Sequence, residues 1–258
     1  MSVSRLTVTA LAGIPLVEPG ADLAALLIAA LARDGAPLRR HDIVVVTSKI
    51  VSKAEGRYLD LSAIEPSERA RELAQITRKD ARLVEAILSE AEEVVRAKPN
   101  VLIVTTRHGL TLANAGIDQS NLAAADQGRR VLLLPEKPDE SARRLKARLD
   151  SHYGTEVGVV ISDSAGRAWR LGTVGLAIGA AGVPALWDRR GEPDLAGRPL
   201  EVTEVGFADA VASAAVLVMG EAAEGCPAAL VRGLDWHWHA EARPAAALVR
   251  PRSEDLFR

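Results

Sequence analysis

An acid and a hydroxyl side by side, followed by two arginines, carry the most chemistry in this sequence. They lie in Val159-Val160-Ile161-Ser162-Asp163-Ser164-Ala165-Gly166-Arg167-Ala168-Trp169-Arg170. Asp163 and Ser164 form a hard-oxygen pair of the kind that Mg²⁺ or Mn²⁺ accepts, and Arg167 and Arg170 offer guanidinium forks for phosphate or carboxylate. The bland alternative is a strand-to-loop exit in which Asp163 caps the next segment and both arginines are solvated. A second candidate is Ser48-Lys49-Ile50-Val51-Ser52-Lys53-Ala54-Glu55-Gly56-Arg57. Hydroxyls, ammonium groups and a glycine after a strand suit phosphate, although the G-x-x-x-x-G-K-[ST] pattern is absent. The alternative there is a surface turn with two solvated lysines. A third is Arg107 to Asn121, where Asp118 offers a metal carboxylate and Asn121, three residues on, shares one side of a turn. His108 in that stretch is either a general base or an ordinary loop histidine.

Two further groups lead nowhere specific. Cys226 is the sole cysteine, so no intramolecular disulfide can form, and no feature beside it argues for an activated thiol. His237 and His239 fall on one face of a strand in Trp236-His237-Trp238-His239, but zinc needs further ligands that the sequence does not supply nearby.

The elements that would position these groups follow from periodicity. Strands are expected over 6–11, 42–47, 101–106, 156–162, 173–182, 200–205 and 228–231, with a short apolar run at 131–135. On this reading the central strand stops at Asp163. Helices are expected over 22–31, from Pro66 through Leu73, from an Asp80 cap through Leu88, from Pro138 through Leu149, and over 207–219. Glu85, Glu90, Glu92 and Glu93 read as a solvated helix face, and 220–227 as a compact loop. The glycines at 175, 179 and 182 lack dinucleotide-binding spacing and instead permit close backbone packing.

The 258 residues suffice for a full core, 48% of them are hydrophobic, and aromatics make up only 3%, so that core must come from Ala, Val, Leu and Ile. A formal net charge of -2 gives no basic field and argues against a nucleic-acid partner. No apolar run reaches transmembrane length, and the chain is expected to be cytoplasmic, with no membrane partner.

Taken together and in order, Gly13-Ile14-Pro15-Leu16, Ser48 to Arg57 (SKIVSKAEGR), Asn114 to Asn121 (NAGIDQSN) and Ser162 to Gly182 (SDSAGRAWRLGTVGLAIGAAG) resemble the coenzyme F420:L-glutamate ligases, gamma-glutamyl ligases of a deazaflavin coenzyme. Leu132 to Ala142 and the segments Met219 to Glu221 and Arg232 to Leu234 add to the match, which covers roughly residues 5 to 234.

The resemblance implies a mixed α/β (α+β) fold particular to the family, with mixed sheets, flanking helices and intertwined homodimers. It implies one ligase unit over residues 1–258, with no subdomain boundary placed and without the fused nitroreductase-like domain of some relatives. The implied reaction uses GTP to convert the terminal carboxylate of F420-0 to an acyl phosphate, which the amine of L-glutamate attacks. Mg²⁺ or Mn²⁺ is the implied cofactor, with K⁺ a further cation. Position by position, Asp118, Asp163 and Ser164 resemble divalent-metal ligands, with Glu221 near a metal. Ile14, Pro15, Leu16, Val17, Ser48, Lys53, Asn121 and the loop from Gly220 to Pro227 resemble nucleotide contacts. Arg167, as an anion clamp, joins the two aspartates as a catalytic candidate on the chemistry of its side chain. Ser164 stands where threonine is common, and Ala222 and Ala223 where glycine is more usual. The competing readings are a metal-dependent phosphohydrolase and a non-catalytic nucleotide-binding protein.

Overall fold

The run Ile43 to Val46 becomes the middle of the molecule because both of its faces are buried. Val44 and Val46 pack into one apolar cluster, Ile43 and Val45 into another on the opposite face. A computed structural model of the chain describes residues 5–120, 128–234 and 242–255. In chain order its regular elements are β1 (Thr7–Ala10), α1 (Leu23–Arg33), β2 (Ile43–Thr47), α2 (Ser48–Ala54), β3 (Tyr58–Asp60), α3 (Glu68–Thr77), α4 (Ala81–Ser89), β4 (Ala91–Lys98) and β5 (Val101–Thr106). There follow β6 (Thr111–Ala113), β7 (Arg130–Leu132), α5 (Pro138–Tyr153), β8 (Gly158–Arg167), β9 (Arg170–Ala181), β10 (Leu186–Asp188), β11 (Glu204–Gly206), α6 (Phe207–Met219) and β12 (Ala228–Arg232).

The architecture is α+β. A five-stranded sheet runs β1-β12-β2-β8-β9, antiparallel throughout except for the parallel pair β2 and β8. Helices α1 and α5 supply Leu27, Leu31, Leu145 and Leu149 to one face, and α6 supplies Val211, Ala212 and Ala215 to the other. A third cluster packs α3 and α4 against β5, with Leu73, Val84, Ile87, Leu102 and Val104 at its centre. Around it stand the antiparallel sheet β4-β5-β6 and the pair β3-β7, while β10 and β11 form a separate ribbon. As expected from the composition, these cores are made of aliphatic side chains, with Phe207 the one buried aromatic among the described residues.

Local signals explain most of the boundaries. Asp22, Ser67 and Asp80 each accept a hydrogen bond from the first turn of α1, α3 and α4, which satisfies amides that have no partner inside the helix. Gly154, at φ 62°, ends α5 in the left-handed region. The glycines of β9 do what their spacing suggested. A Cβ on Gly175 would sit 2.4 Å from the Ala212 carbonyl oxygen of α6, and one on Gly179 would sit 2.5 Å from the Pro138 carbonyl oxygen of α5. Helices on both faces therefore touch the backbone of this strand. Gly175→Ala is expected to cost about 3 kcal/mol by overpacking, seen as a melting temperature roughly 6–12 °C lower; an unchanged melting temperature would refute the close approach.

Four expectations are corrected. The stretch after β2 is a helix, not a turn: Thr47 caps α2, and Ser48, Ser52 and Lys53 are buried within it. β8 does not stop at Asp163 but runs to Arg167 and pairs with β9 in a long hairpin, so Asp163 and Ser164 are strand residues opposite Leu176 and Gly175. Glu92 and Glu93 lie in the edge strand β4 rather than on a helix, Glu92 exposed and Glu93 half-buried. The strand expected over 200–205 is reduced to Glu204–Gly206. His237 and His239 lie outside the described residues.

Candidate active site

The parallel pairing of β2 with β8 aligns Thr47 with Ser162, so Ser48 and Asp163 follow side by side at the same end of the sheet. The Ser48 hydroxyl donates to Asp163 Oδ1 at 2.7 Å. β12 enters the sheet from the same end, and the Thr47 amide donates to the Pro227 carbonyl, which pins the loop 220–227 beside them. Across from this edge stands Asp118, held by a reciprocal pair of backbone hydrogen bonds with Leu132 at 2.9 Å. The turn that delivers it is unusual: Asn114, Ala115 and Gly116 all take left-handed backbone angles, with φ of 53°, 55° and 70°. Side-chain-bearing residues adopt this region at a cost, which is typical of segments held in place for a site.

Between these walls lies a cavity of about 640 Å³. Ile14, Pro15, Leu16, Val17, Ser48, Lys53, Asp118, Asp163, Ser164, Gly220, Glu221 and Pro227 all line it, so stretches far apart in sequence converge. Side-chain hydrogen bonds hold these walls in place. The Arg33 guanidinium donates to the carbonyls of Ala12 and Gly13 at 2.6 and 3.1 Å and holds the loop before Ile14. Arg57 is spent on structure, donating to the Leu134 carbonyl at 2.9 Å and pairing with Glu90. The Ser164 hydroxyl donates to the carboxylate of Glu221, which joins β8 to the loop above it.

The charges inside this cavity are strongly perturbed. Burial pushes the Asp163 carboxyl up to about 6, with the negative Asp118 adding to the rise and the Ser48 and Ser164 hydrogen bonds and Lys49 opposing it. Burial acts the same way on Asp118, but the Lys49 hydrogen bond, the contacts of Ser120 and the Lys49 charge outweigh it, so this carboxyl lies below its usual range. Lys53 is shifted down, first by burial and then by the neighbouring Lys49. One carboxyl driven up beside another driven down, within one cleft, makes this cavity the candidate site.

The donors are chemically suited to a hard divalent cation: carboxylates at Asp118, Asp163 and Glu221, and the Ser164 hydroxyl. Among the described residues no three acidic, histidine or cysteine side chains meet at one point. The set is instead divided, with Asp118 and Asp163 electrostatically coupled on one side and Ser164 bonded to Glu221 on the other.

Three candidates fall elsewhere. Arg167 and Arg170 face each other at the far end of the hairpin and do not line the cavity; Arg167 donates to the Leu171 carbonyl at 3.2 Å and its Nη1 is buried with no partner among the described residues. His108 lines a separate cavity of about 410 Å³ with Glu92, Glu93 and Arg252. Asn121 lies outside the described residues.

Residues 13–233 match the family of F420-0:gamma-glutamyl ligases. This chain belongs to that family. It is 47% identical over 246 residues to the coenzyme F420:L-glutamate ligase of Methanothermobacter thermautotrophicus, which covers 95% of this chain and 96% of the relative. It is 48% identical over 244 residues to the Methanopyrus kandleri coenzyme F420:L-glutamate ligase, covering 94% and 93% respectively. A Haloarcula marismortui protein of the same name is 43% identical over 257 residues, with 97% and 92% covered.

Within this family member, the residue that sequence reasoning left out of the site is Lys49. Its ammonium lies 2.8 Å from Asp118 Oδ2 and 3.0 Å from the Ser120 hydroxyl. Lys49 and Lys53 are four residues apart, so on a helix they share a face. That spacing was visible, but a segment read as a turn has no faces, and the signal could not be used.

Proposed function

We propose that this chain joins L-glutamate to coenzyme F420-0 by amide formation, with GTP as the activating co-substrate and Mg²⁺ or Mn²⁺ as cofactor. The observation that supports this reading is the meeting of Asp118, Asp163, Ser164 and Glu221 with Ser48 and Lys53 on one cavity in a member of this family. About 640 Å³ is in the range of nucleotide-sized pockets.

A carboxylate is a poor electrophile at neutral pH. In the proposed reaction its oxygen attacks the γ-phosphorus of GTP, the bond to the β-phosphate oxygen breaks, and GDP leaves. The amine of glutamate then attacks the carbonyl carbon of the acyl phosphate, the C–N bond forms, and inorganic phosphate departs with the C–O bond electrons. A divalent cation bound by Asp118, Asp163, Ser164 and Glu221 would neutralise the phosphate oxygens and act as a Lewis acid. The Ser48 hydroxyl keeps the Asp163 carboxylate facing the cavity. Lys53, 8% exposed in α2, presents its amino group to the cavity, where a bound phosphate would favour the charged form against the downward push of burial. The loop from Ile14 to Val17, with Leu16 exposed, offers an apolar surface for a base. A homodimer belongs to the same proposal, and the exposed Trp169 and Leu171 at the hairpin tip are apolar side chains it would cover.

The deciding experiment is mass spectrometry of F420-0 incubated with the purified chain, L-glutamate, GTP and Mg²⁺ or Mn²⁺. The expected products are heavier by successive glutamyl units and form only with GTP. Phosphate release without glutamate addition would favour a hydrolase, and nucleotide binding with neither activity a binding protein. Lys53→Ala is expected to weaken GTP binding by about tenfold to a hundredfold, as for loss of a charge-assisted contact. Calorimetry should find glutamate binding little changed, and an unaltered GTP affinity would remove Lys53 from the phosphate site.

A further inference from the structure

We infer that Lys49 is an internal counter-ion that stands on Asp118 in place of a divalent cation and must leave when that cation binds. The inference rests on the proposed metal set but concerns a residue outside it. Lys49 Nζ is 2.8 Å from Asp118 Oδ2 and 3.0 Å from Ser120 Oγ, while the Ser120 amide donates to Asp118 Oδ1 at 2.7 Å. Asp118 Oδ1 is thus held by the Ser120 amide, while Oδ2, a buried atom with no hydrogen-bond partner among the described residues, faces the ammonium as its ion-pair partner. The ammonium therefore compensates the Asp118 carboxylate, which is partly buried.

A lysine suits this role. Its ammonium is a compact point charge with three donors, close to a small cation in its demands on oxygen ligands, and it sits on a flexible four-carbon stem. The stem is anchored on α2, whose position is fixed by the Thr47 cap and by the contacts of Ser48 and Arg57. The side chain keeps about a third of its surface exposed, which leaves it room to move. A divalent ion and an ammonium cannot share Asp118 Oδ2, because two positive centres at that range repel strongly in a low-dielectric cavity. Cation uptake therefore releases one ammonium into the cavity beside Lys53, where anionic oxygens of a co-substrate can take it. Without Lys49, the charge in direct contact with Asp118 would no longer compete with the metal. Lys49 thus sets the metal affinity down and makes the site stable before the metal arrives.

The test is Mn²⁺ titration of the chelator-stripped full chain, followed by the electron paramagnetic resonance signal of free Mn²⁺, with no substrate present. Lys49→Met is expected to bind Mn²⁺ about tenfold more tightly than wild type, because a competing positive charge has gone. Lys49→Arg, which keeps the charge, should stay within about threefold of wild type on the same grounds. In chelator Lys49→Met should melt lower than wild type, and Mn²⁺ should raise its melting temperature by more. If Lys49→Met does not fold without metal, Lys49→Gln, which still donates to Asp118, should show the same tightening. Equal or weaker Mn²⁺ binding by the uncharged variants, with normal binding by wild type, would overturn the counter-ion role alone. Absence of Mn²⁺ binding by wild type would overturn the metal reading itself and this inference with it.

Discussion

Asp163→Asn is expected to reduce glutamate addition by about a thousandfold or more in kcat/KM, the scale of losing a metal ligand and its charge stabilisation. It should do so without unfolding the protein. The amide has the shape of the carboxyl, and its oxygen can still accept the Ser48 hydroxyl that now lies 2.7 Å from Asp163 Oδ1. The protein should even gain stability. Burial raises the Asp163 carboxyl from 3.8 in its ordinary state to about 6 in the fold. A group whose folded pKa is raised contributes fully below its unfolded value and loses that contribution as pH climbs through the folded one. At neutral pH in chelator the ionised Asp163 is therefore a liability of about 2 to 3 kcal/mol, which the neutral amide removes. Below about pH 4 wild type and variant should melt alike. Thermal scans from pH 4 to 8 in chelator, beside the ligation assay, separate the outcomes. Retained turnover would end the catalytic assignment, and a variant less stable than wild type at pH 7 would end the electrostatic account.

Much of this organisation was legible in the residues, and the losses have physical causes. The helix over 207–219 was read to the residue because its apolar stripe is long and glycines flank it on both sides. The α2 helix was missed because it is one short segment containing two serines and a valine, residues of modest helix propensity. The Thr47 cap is a local signal, but it falls on the last residue of β2, and the burial of α2 against the sheet is not local. The extension of β8 through Asp163, Ser164 and Gly166 had the same origin. Those residues are poor strand formers, and only pairing with Leu176, Gly175 and Thr173 of β9 holds them extended. The aspartates of the site were legible as chemistry, and their order along the chain carried the family. Their mutual placement was not, since Asp118 reaches the cavity through a left-handed turn and a two-bond bridge to Leu132. The arginines after Asp163 show the opposite error. Side-chain chemistry made them clamps, and the length of the hairpin carries them beyond the cavity.

The end of the sheet opposite the cavity holds the second large effect. Arg232, the last residue of β12, donates to both carboxylate oxygens of Asp42 at 2.9 and 2.6 Å, and also to the Pro37 carbonyl at 2.9 Å. Asp42 is 2% exposed and also accepts the Arg39 amide at 2.7 Å. This clamp joins the start of β2 to the end of β12, and through the register Val231 to Ile43 it sets where β12 begins beside Thr47. The position of the loop 220–227 over the cavity depends on that register. Arg232→Met keeps the bulk of the side chain but leaves a buried carboxylate with a single amide donor. Breaking a buried pair from one side costs about 3 to 5 kcal/mol, or roughly 6–20 °C in melting temperature for a chain of this size. Replacing both partners removes the uncompensated charge, so Arg232→Met combined with Asp42→Leu should recover most of the loss, leaving about 1 kcal/mol for the unpartnered Arg39 amide. Calorimetric unfolding of the two variants and wild type decides the matter. A double variant no more stable than Arg232→Met would mean that the clamp acts through shape rather than charge, and that the register of β12 is held elsewhere.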